Sequence, residues 1–520
     1  MATPPPEQGP ESAQRTQQEA RRGAFSSRRV FILAAIGSAV GLGNIWRFPY
    51  VAYENGGGAF VIPYLIALLT AGLPFLFVDY ALGHKHRGSA PLSFARESPR
   101  TEVLGWWQVA ICFVIAVYYA AIIGWALRYT FFSVDKAWGS DPGGFFSGDF
   151  LQTSAPGVTA DVVVGVLVPL LIVWAAVLLI MGLGVQKGIG ATSVVFIPLL
   201  VLAFGFLVVR SLFLPGAADG LDALFTPDWG ALTDASVWAA AFGQIFFSLS
   251  IGFGIMITYA SYVGRRTDMT GSGLVVGFAN SGFELLAGIG VFAALGFMAQ
   301  ANGTAVDEVV QSGIGLAFVA FPAIISEAAG GSVIGVLFFG SLVIAGLTSL
   351  VSVLEVVVSA VRDKFDLQRV TAVLVVGVPA TALSVVLFST TSGLHVLDIV
   401  DFFINRFGIL FVAVVAMVVL AWGVRALPGL ATHLNHHGSI RLSRGWIVLV
   451  SVVAPLALGF VLLRDFLDTL EKPYGDYPAW MLNVFGWGSA ALVLAAAVVV
   501  TFLGRRADTP ADNTRKEADR

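Results

Sequence analysis

The chain has 520 residues, 57% of them hydrophobic and 12% charged, against about 25% charged in a typical soluble domain. A chain this apolar cannot cover itself with polar surface, which excludes a soluble enzyme and a disordered chain. A formal charge of -3 offers nucleic acid no basic footprint, and the single cysteine, Cys112, excludes an intramolecular disulfide and a Cys-based metal cluster.

Residues 1–28 are polar and charged and read as a solvated cytoplasmic tail, not a cleaved signal peptide, since no small-residue cleavage site follows a short apolar core. Beyond them, stretches long enough to cross a bilayer core, about 20 apolar residues each, follow one another. Twelve spans are expected near 29–50, 57–83, 103–133, 162–183, 190–213, 236–263, 270–300, 332–363, 370–390, 394–424, 445–467 and 479–503. Residues 301–331 are apolar but too short for a spanning pair, and with Pro322 they read as a helical hairpin on the outer face. Residues 504–520 read as a second cytoplasmic tail. The tails and the connections after spans 2, 4, 6, 8 and 10 hold 23 of the 30 Lys and Arg residues, which places both termini in the cytoplasm and the chain in the cell membrane as a multi-pass protein.

Span 1 carries Gly37-Ser38-Ala39-Val40-Gly41-Leu42-Gly43-Asn44, and span 6 carries Ser248-Leu249-Ser250-Ile251-Gly252-Phe253-Gly254. Glycine in a helix interior costs about 1 kcal/mol relative to alanine. Two interrupted helices at matching positions of two halves, 29–213 and 236–424, point to a transporter's binding site. Unwound backbone offers carbonyls to a cation, and half-helix N-termini offer N–H groups to a carboxylate. Such backbone is tolerated only where it lines a cavity. Helix packing through Gly37 and Gly41 as a small-residue face is the competing reading.

Ionisable residues within spans are functional candidates. Arg47 follows the first break, Asp398 and Asp401 open span 10 ahead of Arg406, and Glu284 lies mid-span 7, four residues after Asn280. Arg47 and Asp401 form the expected ion pair; anchoring at the interface is the alternative for Arg47 and Asp398. Thr348 and Ser349, beside Ala345, suit a small hard cation or bond back to their own helix. His84-Lys85-His86-Arg87 reads as an anchor, His433, His436 and His437 lack the company of a metal site, and Gly56-Gly57-Gly58 reads as a turn.

The run Gly37–Asn44, continued by Ile45-Trp46-Arg47-Phe48-Pro49-Tyr50 and Glu54-Asn55-Gly56-Gly57-Gly58-Ala59-Phe60, closely resembles the first-helix signature of the neurotransmitter:sodium symporter family. Gly243-Gln244-Ile245-Phe246-Phe247-Ser248-Leu249-Ser250 with Gly252-Phe253-Gly254 resembles its sixth helix, and the resemblance covers roughly 22 to 504. It implies an all-α membrane protein of the LeuT fold: twelve helices, a 5+5 inverted repeat with broken helices 1 and 6, and two extra helices over 445–503. It further implies a sodium-coupled symporter that imports an amino acid by alternating access, and not an enzyme. A membrane sensor of the same fold that binds without transporting is the alternative.

Site residues carry over from the resemblance position by position. One sodium site comprises the carbonyl of Ala39 with Asn44, Ser248, Asn280 and the substrate carboxylate. The other comprises the carbonyls of Gly37, Val40 and Ala345 with the hydroxyls of Thr348 and Ser349. Tyr119 and the amides of Leu42 and Gly43 take the substrate carboxylate. Phe247, Ser250, Phe253, Ile115 and Val353 line the side-chain pocket, with Ala39, Ser248 and Ser349 completing the substrate contacts. Arg47 and Asp401 form the outer gate, and Arg22, Phe25, Tyr262 and Asp363 the inner gate. Gly41 stands where monoamine transporters carry Asp, which favours a substrate bearing its own carboxylate. Glu284 stands where chloride-dependent relatives carry Ser, beside Tyr64, Gln244 and Ser248, so chloride independence is expected. Gly188 and Pro198 resemble the Gly-X9-Pro pattern of helix 5, implying local unwinding toward the second sodium site. Ser248 in place of Thr keeps the hydroxyl, and Phe25 in place of Trp keeps the ring. Arg406 is outside the family pattern. The mostly apolar and aromatic pocket favours a hydrophobic or aromatic amino acid.

Overall fold

The computed structural model describes residues 23–310 and 313–503. Among these residues the chain is helical, with only two isolated β-bridges, Gly57–Pro227 and Val162–Thr390. Ten helices are long and apolar enough to cross a membrane. They are α2 (Gly58–His86), α3 (Pro99–Asp135), α4 (Val164–Gly182), α5 (Val185–Leu212), α7 (Met269–Asn302), α8 (Gly331–Phe365), α9 (Arg369–Phe388), α10 (Gly393–Gly423), α11 (Arg444–Glu471) and α12 (Ala479–Phe502). An eleventh, α1, is a pair bent by 56°, α1a (Arg28–Ala39) and α1b (Leu42–Glu54). The stretch between α5 and α7 holds α6a (Ala235–Ser248) and α6b (Ile255–Ala260), each too short to span alone.

Helix starts follow local chemistry. The Ser27 hydroxyl accepts from the Val30 amide, Asp234 from Ser236, Asp268 from Gly271 and Ser443 from Gly445. Each satisfies an amide that has no partner inside its helix. α3 and α8 make the most extensive helix pairing and form the spine against which α1, α4, α5, α9, α10 and α12 pack. Exposed Val, Leu and Phe side chains on α4, α5, α9, α11 and α12 face outward, as lipid contact demands.

Connections are structured too. Short helices run over Ala90–Glu97, Ala217–Phe225 and Leu427–Asn435. Between α7 and α8 the chain makes a short helix, Val306–Val309, and a continuous helical run, Gly313–Glu327. Pro322 does not interrupt that run. It follows closely on the π-turn Leu316–Ala320, where the ladder of hydrogen bonds is already shifted, and Phe321 stacks on Phe338 of α8 with centroids 3.9 Å apart. Wide π-turns interrupt several helices, among them Val185–Gly190 at the start of α5 and Ile404–Ile409 in α10.

α2 meets α6b at Gly83. A Cβ there would lie 1.9 Å from the Ile257 carbonyl oxygen, so only glycine lets the two backbones touch. Gly83→Ala is expected to destabilise the fold by about 1–3 kcal/mol. A clear drop in melting temperature of the detergent-solubilised protein checks this; an unchanged melting temperature contradicts the close approach.

Candidate functional site

Both interruptions leave backbone without helical partners in mid-bundle. In α1 the chain becomes extended at Val40 and Gly41 (φ -76° and -121°) before α1b resumes. In α6 the break runs from Leu249 to Gly254, with Ser250, Gly252 and Gly254 at positive φ (53°, 84° and 85°). That conformation is easy for the glycines and strained for Ser250. The two breaks face each other. The Ser250 hydroxyl donates to the Ser38 carbonyl at 3.0 Å. A Cβ on Gly43 would sit 2.3 Å from the Phe247 ring.

The first set of cation candidates forms one chain of contacts. Asn44 Nδ2 donates to Asn280 Oδ1 at 2.8 Å, Asn280 Nδ2 to the Ser248 hydroxyl at 3.0 Å, and the Gly41 amide to Asn44 Oδ1 at 2.9 Å. All three side chains are buried, and they come from α1b, α7 and α6a. With the free backbone at Ala39 they form an all-oxygen, uncharged acceptor set, which suits a hard monovalent cation better than a transition metal.

The second set lies where α1a crosses α8. A Cβ on Gly37 would meet the Thr348 Cβ at 3.4 Å, which places Thr348 against the last turn of α1a. Thr348 Oγ1 donates to the Ala345 carbonyl at 3.0 Å, so its lone pairs remain free to accept. Gly37 also packs on Ile197, next to Pro198 of α5. Gly188 lies within the π-turn of α5, not in an unwound coil.

At the start of α1b the Leu42 amide donates to the Tyr119 hydroxyl at 3.3 Å. A side chain at Gly41 would meet that hydroxyl at 3.2 Å and the Ser349 hydroxyl at 3.5 Å. Gly41 therefore keeps open a polar niche bounded by Tyr119, Ser349 and the α1b amides, fit for a carboxylate. Ile115 lies one turn from Tyr119 on α3, and Val353 one turn from Ser349 on α8; both are buried. Phe253 is buried as well, its carbonyl accepting from Cys112 Sγ at 3.0 Å.

The gate candidates divide. Arg47 and Asp401 are not joined: among the described residues no Arg47 nitrogen lies within the 4.0 Å of an ion pair. The guanidinium stands over the Phe247 ring at 4.4 Å, while Asp401 accepts from Asn405 at 2.7 Å. At the other end of the bundle, Phe25 is buried edge-on against Tyr259 and Tyr262, and its amide donates to the Tyr262 carbonyl at 3.1 Å. Asp363 accepts from the Ser89 amide at 2.8 Å. Arg22 lies outside the described residues. One end is thus sealed by aromatic rings while the Arg47–Asp401 pair at the other end is apart.

Glu284 is fully buried. The Tyr64 hydroxyl donates to it, Gln244 Nε2 donates at 2.6 Å, and Tyr64 also reaches Ser281 at 2.8 Å. Donors from α2 and α6a thus converge on one buried carboxylate of α7.

Two further groups escaped the sequence reading, and two that it named have partners it did not foresee. Asp79 on α2 is buried and accepts from the Gly252 amide at 3.3 Å, tying α2 to the α6 break. Glu355 on α8 is buried, paired bidentately with Arg369 at 2.7 and 2.8 Å, and accepts from the Tyr262 hydroxyl at 2.6 Å. A lone acid within an apolar run was the signal for both. Asp398, singled out for its charge alone, is bound by the hydroxyls of Tyr474 and Tyr477 at 2.9 Å each. His84 is more than an anchor. Its Nε2 meets the Gly264 carbonyl at 3.0 Å and so carries the proton, and its Nδ1 accepts from His433 Nε2 at 2.9 Å. Burial, then the neighbouring His84, pushes His433 down to about 4.

Comparisons with known proteins converge on one group. The family model described as the sodium:neurotransmitter symporter family matches residues 22–141 and 136–507. An uncharacterised sodium-dependent transporter of Methanocaldococcus jannaschii is 40% identical over 491 residues, covering 94% of this chain and 98% of that protein. The sodium- and chloride-dependent GABA transporter 2 of Homo sapiens is 30% identical, covering 90% and 84%. Among solved structures, the crystal structure of MhsT in complex with L-phenylalanine matches with a TM-score of 0.72 and 34% identity, covering 85% of this chain and 99% of that one.

Proposed function

The chain belongs to the sodium:neurotransmitter symporter family, sodium-coupled transporters of the LeuT fold and not enzymes, and on that premise we propose that it imports a hydrophobic or aromatic amino acid with sodium, independently of chloride. The observation that carries this reading is the pair of facing helix breaks, with uncharged oxygens on one side and the Gly41 niche on the other. Sodium occupies two sites, one at Ala39, Asn44, Ser248 and Asn280, the other at Gly37, Val40, Ala345, Thr348 and Ser349. The substrate carboxylate takes the Tyr119 hydroxyl and the α1b amides, and completes the first sodium site. Its side chain lies among Ile115, Phe247, Ser250, Phe253 and Val353. That pocket has no charged group, and the related MhsT structure holds L-phenylalanine, which supports the substrate class.

Sodium and carboxylate stabilise each other because opposite charges attract strongly in a low-dielectric site. Coupling is then reciprocal: each raises the other's affinity by the same factor. Both termini lie in the cytoplasm of a plasma-membrane protein, so the Arg47–Asp401 end faces outside and the Phe25 cluster inside. Separated Arg47 and Asp401 with a sealed aromatic end is an outward-facing arrangement. Substrate draws the outer pair together, and loss of the second sodium releases Phe25 and α1a from Tyr262.

The test is equilibrium binding of labelled L-phenylalanine in sodium and in potassium, with each of the twenty amino acids as competitor. Leucine, isoleucine, methionine, tryptophan and tyrosine are expected to compete only in sodium; competition by lysine or glutamate alone contradicts the substrate class. Tyr119→Phe removes one hydrogen bond to a charged group, about 1.5–3 kcal/mol, so affinity is expected to fall roughly tenfold to a hundredfold. Unchanged affinity in this variant contradicts the carboxylate position.

A further inference from the structure

Arg406 lies in the π-turn Ile404–Ile409 of α10, directly after Asn405, which holds Asp401. Its guanidinium stands over the Phe402 ring at 4.4 Å, and Phe402 stacks on Tyr474 with centroids 3.7 Å apart. One of its nitrogens is 3.6 Å from Asp465 Oδ1 on α11, and its side chain is 42% exposed. The charges acting on Arg47 come from Arg406, Asp401, Asp465 and Glu284, and those acting on Asp465 from Arg406, Arg47, Asp468 and Arg464. Two guanidiniums and two carboxylates, Arg47, Arg406, Asp401 and Asp465, therefore share one mouth.

This arrangement sets up a competition. Asp401 is free to receive Arg47 only while Arg406, five residues on along the same helix, is occupied elsewhere. A half-exposed arginine keeps rotamer freedom and turns to the nearest unneutralised carboxylate. Resting on the outer-gate reading above, we propose that Asp465 is a positioning residue of the gate: it holds Arg406 on its Phe402–Tyr474 platform and so reserves Asp401 for Arg47. α11 then takes part in gating through one carboxylate, although it contributes nothing to the sodium or substrate sites. Neutralising Asp465 frees Arg406 to take Asp401, and the gate closes less often over bound substrate. Removing Arg406 as well abolishes the competitor, and the gate recovers.

The experiment compares sodium-driven L-phenylalanine uptake by the full chain and by Asp465→Asn, Arg406→Gln and the double variant in proteoliposomes. Asp465→Asn is expected to raise the substrate half-saturation concentration roughly threefold to tenfold. Arg406→Gln and the double variant are expected to stay within about twofold of the parent. The sodium-induced rise in melting temperature in detergent is expected to be the same for all four, since no sodium ligand is touched. Should Asp465→Asn misfold, Asp465→Ser alone and with Arg406→Gln makes the same comparison. A double variant as impaired as Asp465→Asn, or an Asp465→Asn with parental half-saturation, overturns the proposal. Asp401→Asn is run beside them: if it too transports like the parent, the outer-gate reading itself has failed, whereas an impaired Asp401→Asn beside a parental Asp465→Asn overturns only the role of Asp465.

Discussion

Asn44→Ala is expected to lower sodium affinity by roughly tenfold to a hundredfold and to take substrate uptake down with it. Asn44 sits at the join of three connections: its Oδ1 accepts from the Gly41 amide, its Nδ2 donates to Asn280, and Asn280 in turn holds Ser248. Truncation leaves at least two buried polar groups without partners, each costing about 1–3 kcal/mol. It also takes an oxygen from the proposed sodium shell. Asn44→Asp separates the two roles, since it keeps an oxygen and loses the donor to Asn280. Sodium dependence of uptake and of L-phenylalanine binding are both measured, and both curves are expected to shift to higher sodium, because weaker sodium binding weakens substrate binding through their coupling. A sodium dependence that does not move with Asn44→Ala contradicts the first site.

The second large effect concerns Glu284. Its buried carboxylate collects donors from Tyr64 and Gln244, and among the described residues no cationic group is a direct partner. Glu284→Ser removes a charge and leaves those donors aimed at an empty place in a low-dielectric region. Chloride in that place restores both the charge and the hydrogen bonds. Uptake by the variant is therefore expected to fall at least about tenfold in gluconate, in line with an unpaired buried donor set, and to recover with added chloride. The parent is expected to ignore the exchange of anions. Equal activity of Glu284→Ser with and without chloride contradicts the charge-substitution account.

Much of the site was legible because its residues break local rules. Gly41 in one apolar helix, and Ser250, Gly252 and Gly254 in another, violate helix propensity, and the chain leaves the helix there, whereas Gly37 and Gly43 stay helical and let Ile197 and Phe247 approach. Glu284 was visible for the same reason. The partnerships were not legible, because they join residues far apart in sequence with no local pattern to announce them. Gly252 with Asp79, Tyr262 with Glu355, and His84 with His433 are of this kind. Arg406 stood out as a charge without an account, and its partner Asp465 on the next span became visible only in three dimensions. The separation of Arg47 from Asp401 is different again. Pairing of a gate belongs to one conformation of an ensemble, and a sequence encodes both conformations at once. Pro322 shows the opposite limit: a proline taken up beside a π-turn carries the same letter as one that breaks a helix.

Facing breaks in α1 and α6 are proposed to bind sodium and an amino acid as one coupled load. Purified protein in sealed proteoliposomes is given an inward sodium gradient and labelled L-phenylalanine at equal concentration on both sides. Uphill accumulation is expected that collapses when the sodium gradient is dissipated and that is absent in Asn44→Ala. Tight sodium-dependent binding with no accumulation, or accumulation indifferent to sodium, contradicts that coupling.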